Sequence, residues 1–154
     1  MTLEEQIVKK LQEKNYTITT AESCTGGLLA GRILNVSGAS NVYKEGYITY
    51  ANESKEKILG VQHETIETHG AVSRETAKEM VIGAAKAANA EVALSTTGIA
   101  GPGGGTSEKP VGLIYIGCLV GEQMVIKELR LHGSREENRQ ETVNETLKLL
   151  NDIL

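Results

Sequence analysis

The chain has no tryptophan and no phenylalanine, and its five tyrosines are its only aromatic residues. Its hydrophobic core must therefore be aliphatic, built from Leu, Ile, Val, Met and Ala. Cysteine is nearly as scarce: Cys24 and Cys118 are too few for a disulfide framework. No apolar run approaches the roughly 18 residues of a membrane span. The start, Met1-Thr2-Leu3-Glu4-Glu5, is acidic where a secretory signal would be basic and then apolar. An excess of positive charge is missing too, since 16 Lys and Arg against 20 Asp and Glu leave a net charge of −4. That gives no general field for nucleic acid. Together these absences point to a cytoplasmic protein with no membrane and no nucleic-acid partner. What remains is 154 residues, 40% apolar and 23% charged, enough for one domain with a sizeable core. No internal repeat and no linker divides residues 1–154, so a single domain is expected.

Patterning predicts helices alternating with strands. Thr2 and Glu5 form a capping box ahead of Leu3, Ile7 and Leu11, which share one helical face. Residues 16–22 read as a strand, 25–35 as a helix, 43–51 as a second strand and 53–59 as a short helix ending at Gly60. Ser73 caps a helix whose Ala77, Met80, Val81, Ala84 and Ala88 lie together. Residues 91–98 are a buried strand. Two further strands flank Gly121-Glu122 as a hairpin, which requires an antiparallel pair. Ser134 and Glu137 form a second capping box before a helix with Val143, Leu147, Leu150 and Leu154 turned inward. The sum is an α/β fold with helices on both faces of a mixed sheet.

Candidate chemistry starts at "TTAESCTGG", residues 19–27, where a β-prone run meets Ser23, Cys24 and Thr25 and then two glycines. A side chain at such a strand-to-helix turn projects over the carboxyl end of the sheet, where α/β folds place ligands. The amides of residues 24–27 are placed to hold an oxyanion or phosphate. Ser23 or Thr25 acting as an ordinary N-cap is the competing reading. The segment is not a G-x-S-x-G elbow, because Ala21 stands at the first glycine position. Cys24 near a helix start is a rival nucleophile, but none of His63, His69 and His132 sits in a motif that would make it the base. For both cysteines a buried structural thiol is the plainer reading. "YITYANESK" supplies Tyr50 and Lys55, and a lysine of lowered pKa can act as a general base. A solvated helix lysine is the alternative. "STTGIAGPGGGTSEKPVG" leaves a buried strand through Thr97 and Gly98 and lacks the G-K-[ST] of a Walker loop. Arg135 and Arg139, in the first turns of the last helix, suit an anionic ligand or else surface ion pairs. His63 and His69, six apart, make no metal-binding spacing, so no metal is expected.

Taken together, "TTAESCTGG", "YITYANESK", "HGAVS", "STTGIAGPGGG…KPVG" and the arginine of "SREENRQ" resemble the CinA C-terminal domain family, the competence/damage-inducible group. The resemblance covers essentially the whole chain. It implies a three-layer αβα sandwich with a mixed β-sheet. Stand-alone members are nicotinamide-nucleotide amidases, which implies conversion of nicotinamide mononucleotide to nicotinate mononucleotide and ammonia, with no cofactor. It further implies Ser23 as nucleophile and Lys55 as base, with Tyr50 beside them. Thr97 and Arg139, like Tyr50, match further active-site positions of the family, and Cys24, Thr25, Gly26, Gly27 and Gly98 are expected to bind substrate beside them. Larger members carry an N-terminal pyrophosphatase-type domain, and that activity is not expected of this chain. The resemblance leaves homo-oligomerisation open. Two other classes are compatible with the residues: a nucleotide-binding module without catalysis, and a partner-binding protein tied to DNA uptake or repair. The acidic net charge argues against direct DNA binding by the latter.

Overall fold

Every residue from Met1 to Leu154 is described by the structure, a computed structural model. The elements run α1 (Leu3–Lys14), β1 (Ile18–Glu22), α2 (Leu28–Leu34), a 3-10 turn at Ala39–Asn41, β2 (Tyr47–Ile48), α3 (Asn52–Leu59), α4 (His63–His69), α5 (Arg74–Ala88), β3 (Val92–Gly98), β4 (Leu113–Val120), β5 (Gln123–Arg130) and α6 (Arg135–Ile153). The strands form one sheet in the order β2-β1-β3-β4-β5. β2, β1 and β3 are parallel, while β4 and β5 are antiparallel to their neighbours, so the sheet is mixed. Helices pack on both faces, giving the three-layer αβα sandwich.

Strand alternation explains the two cores. Ile18 on β1 and Val92 and Leu94 on β3 face one way and meet Ile7 and Leu11 of α1, Leu29 and Ile33 of α2, and Val143, Leu147 and Leu150 of α6. Ala21 and Ala93 face the other way, toward Met80, Val81 and Ala84 of α5 and Leu59 at the end of α3. The residues on that second face are small, and they let α5 lie close to the sheet. Ser95 there donates to the carbonyl of Ala77 at 2.9 Å. No helix is long and apolar enough to cross a membrane.

Three elements differ from the expectation set by the sequence pattern. Strand 43–51 shrinks to Tyr47–Ile48, because the Thr19 hydroxyl takes the Glu45 carbonyl at 2.8 Å and draws residues 44–46 out of the ladder. The helix expected from residue 25 starts at Leu28. Gly26 and Gly27 adopt φ of 53° and 104°, a left-handed backbone that interrupts a right-handed helix. Helix α4, His63–His69, has no counterpart in the pattern; its one buried apolar residue, Ile66, is too few for a periodic signal. Leu154 ends the chain half-buried against the first core rather than within it. Both capping boxes form as expected, at Thr2/Glu5 and Ser134/Glu137.

Candidate functional site

The parallel strands decide where the site lies. β1, β2 and β3 run the same way, so their carboxyl ends, at Glu22, Ile48 and Gly98, open on one edge of the sheet. Ser23 follows β1 directly, Thr49 and Tyr50 follow β2, and the glycine-rich loop follows β3. The antiparallel hairpin returns the chain to this edge, and α6 starts there with Arg135. A cavity of about 290 Å³ lies among these ends, lined by Ser23, Cys24, Tyr50, Lys55, Thr97, Gly98 and Arg135 together with the glycine loop.

Lys55 is the most unusual residue in it. Its side chain is 1% exposed, the largest fully buried side chain in the molecule. Nζ donates to the carbonyls of Thr49 at 2.8 Å and Tyr50 at 3.1 Å, and it lies 3.0 Å from Ser23 Oγ. Burial pushes its pKa down from 10.5 to about 8, opposed by the nearby Glu53 carboxylate. In its neutral form the amine can give two hydrogens to the carbonyls and turn its lone pair to the serine hydroxyl. Local structure produces this geometry: Lys55 is in the first turn of α3, which is separated from β2 only by Thr49, Tyr50 and Ala51.

Ser23 sits on a tight turn in which the Gly26 amide donates to the Ser23 carbonyl at 3.1 Å. The amide of Gly26 is thereby used up. Those of Cys24, Thr25 and Gly27 make no hydrogen bond within the protein. The cradle expected from all of residues 24–27 is thus reduced to these three donors. Cys24 is buried, and burial pushes its thiol up to about 12, so it stays protonated at neutral pH and is a poor nucleophile.

Two buried groups hold this turn. Glu22 is fully buried, and its carboxylate accepts from the Thr25 hydroxyl and from the amides of Leu29 and Ala30 at 2.9 and 3.1 Å. It therefore caps α2 from the preceding strand, a job usually done by an N-cap side chain. Sequence reasoning gives it no role, although a glutamate that closes a strand at a turn into a helix needs partners once the turn is buried. Arg139 holds the other side: Nε donates to the Cys24 carbonyl at 2.9 Å and Nη2 to the Thr25 carbonyl at 3.1 Å. The guanidinium that lines the cavity is that of Arg135, which donates to the Gly101 carbonyl at 2.9 Å and the Tyr50 hydroxyl at 3.1 Å. Tyr50 is 60% exposed at the mouth, so its hydroxyl faces Arg135 while its backbone carbonyl serves Lys55. Thr97 lines the far wall and donates to the Ala71 carbonyl at 2.8 Å. Asn138, also buried, ties the glycine loop to α6 by donating to the Ala100 carbonyl at 3.0 Å. The three histidines stay outside: His63 pairs with Glu56 and Glu67, His69 with Glu75, and His132 is exposed and does not line the cavity. No group of three or more His, Cys, Asp or Glu side chains comes together to hold a metal.

Fold and cavity define an αβα protein with a buried serine–lysine pair at the carboxyl edge of a mixed sheet. The chain belongs to the CinA C-terminal domain family, whose model matches residues 1–154. Relatives named as competence-damage inducible proteins include that of Alkaliphilus metalliredigens, 56% identical over 97% of this chain and 36% of the relative. That of Thermoanaerobacter sp. strain X514 is 53% identical over 99% of this chain and 37% of the relative. The chain thus spans little more than a third of the length of these curated relatives. Among solved structures, the competence/damage inducible protein CihA of Agrobacterium tumefaciens superposes with a TM-score of 0.94 at 42% identity, covering 96% of this chain and 91% of that one. A CinA superfamily protein of Escherichia coli gives 0.96 at 32% identity, covering 99% and 88%.

Proposed function

We propose that this chain is an amidohydrolase that converts nicotinamide mononucleotide and water to nicotinate mononucleotide and ammonia. The observation that carries the reading is the Lys55 amine, buried and of lowered pKa, 3.0 Å from the Ser23 hydroxyl. Its bonds to the Thr49 and Tyr50 carbonyls hold the amine in place, and a lowered pKa beside a serine hydroxyl is what a general base requires. The choice of nicotinamide mononucleotide rests on the family resemblance.

In this mechanism neutral Lys55 takes the Ser23 proton while Oγ bonds to the carboxamide carbon. The carbonyl electron pair moves onto oxygen, and the free amides at Cys24 and Thr25 stabilise the oxyanion. Collapse breaks the C–N bond, and Lys55 returns its proton to the leaving nitrogen, releasing ammonia. Water then attacks the acyl-serine, again with Lys55 as base, and the carboxylate leaves with Ser23 restored. Thr25, Gly26 and Gly27 shape the turn that presents Oγ. Arg139 and Glu22 hold that turn, and Thr97 and Gly98 form the opposite wall. No cofactor takes part in any step.

Ammonia release from nicotinamide mononucleotide tests the reading. Ser23→Ala is expected to lower turnover by at least about a hundredfold, while Cys24→Ala stays within about tenfold of wild type. Folding of each is checked by circular dichroism. A wild-type protein that releases no ammonia sinks the proposal, and so does a live Ser23→Ala beside a dead Cys24→Ala.

A further inference from the structure

Arg135 makes the mouth of the cavity chemically different from its floor. The lining holds two cationic side chains, Lys55 deep inside and Arg135 at the mouth, and no aspartate or glutamate. That is a strong local bias in a chain of net charge −4. A guanidinium has five N–H donors. Two of them go to the Gly101 carbonyl and the Tyr50 hydroxyl, and three are left over. The facing loop adds more donors, because the amides of Gly101, Gly103 and Gly104 make no hydrogen bond within the protein. Gly104 has a φ of 86°, and no neighbouring atom lies within 4 Å of where a Cβ on Gly103 would stand, so a ligand can approach this backbone closely. An arginine fork opposite several free amides suits the multiple oxygens of a phosphomonoester. Tyr50 spans the interval between the two cations, its carbonyl on Lys55 and its hydroxyl on Arg135.

We propose that Arg135, with the amides of the 101–104 loop, forms the subsite that reads the phosphate of the substrate, and that Arg139 is a positioning residue of the Ser23 turn. This rests on the amidase reading only for the reaction that follows binding. The two arginines share a helix and differ in what they hold. Arg139 is bound to the carbonyls of residues 24 and 25, whereas Arg135 faces the cavity.

The test compares nicotinamide mononucleotide with nicotinamide riboside, which lacks only the phosphate. Dissociation constants are measured by calorimetry and kcat/KM by ammonia release, for wild type, Arg135→Gln and Arg135→Lys. Arg135 is exposed, so both variants are expected to fold, and thermal unfolding checks this. For wild type the phosphate is expected to tighten binding at least tenfold. Arg135→Gln is expected to cut that preference to about twofold or less, through KM rather than kcat, and Arg135→Lys to recover part of it. If the preference survives in Arg135→Gln, or if wild type binds both ligands equally or neither, the subsite is wrong. If wild type prefers the phosphate through Arg135 yet releases no ammonia, the subsite stands and the amidase reading falls.

Discussion

At the residue scale the molecule is organised around a lysine that stability alone would not place where it is. The folded pKa of Lys55, about 8, lies below its ordinary value of 10.5. Below pH 8 both folded and unfolded chains hold the proton, and the full cost of burying the ammonium is present, about 3 kcal/mol. Between pH 8 and 10.5 the unfolded chain keeps a proton that the folded chain has lost, so stability rises with pH. Above 10.5 both are neutral and the cost is gone. Lys55→Met has no such proton. Relative to it, wild type is expected to gain stability as pH rises from 7 to 10, by an amount approaching about 3 kcal/mol. Urea unfolding at the two pH values measures this, and a difference that does not move with pH means that the lysine is not depressed. Activity should follow the same group, with kcat/KM rising along a limb near pH 8. Lys55→Arg, which keeps the charge but cannot give up a proton, should retain less than about 1% of it.

At the scale of elements, the position of Lys55 depends on how α3 sits on α5. Gly83, inside α5, lies against the backbone carbonyl of Leu59, the last residue of α3; a Cβ there would run into that oxygen. Alanine in a helix interior ordinarily gains about 1 kcal/mol over glycine. Gly83→Ala is expected to do the opposite, lowering Tm and pushing α3 outward, so that kcat/KM falls with it. Gly31, exposed on α2 with nothing within 4 Å of its would-be Cβ, provides the contrast. Gly31→Ala should raise Tm by the propensity gain. If both substitutions shift Tm the same way, the α3–α5 contact does not set the position of the helix. Only the first glycine is required by tertiary structure, and nothing in the two local sequences separates them.

At the scale of the whole molecule, β1 and β3 contribute side chains to the cores on both faces of the sheet. Neither face can open without disturbing strands that the other needs. The 154 residues are therefore expected to unfold in one transition, with far-UV circular dichroism and tyrosine fluorescence tracing the same urea curve. Two separated midpoints would mean that the faces are independent units. The site shares this dependence, since Ser23 comes from the end of β1 and Lys55 from a helix packed against α5.

Short-range chemistry made part of this protein legible from its residues. The capping boxes at Thr2 and Ser134, the cap at Ser73, the hairpin at Gly121-Glu122 and the apolar periods of α1, α5 and α6 each depend on neighbours within a turn or two. Ser23 and Lys55 could be singled out as candidates, the first from its turn and the second through family resemblance. The remainder came from contacts between distant segments. These shortened β2, because a hydroxyl from the adjacent strand took the Glu45 carbonyl, and they made Glu22 the cap of a helix it does not belong to. They also separated two arginines that look alike in sequence. Arg135 and Arg139 are on one helix, yet Arg139 meets backbone carbonyls of the Ser23 turn and Arg135 the open cavity. The depressed pKa of Lys55 belongs to this second group. Its amine is buried beside Ser23, which is distant in the chain, and no pattern of neighbouring residues encodes that burial.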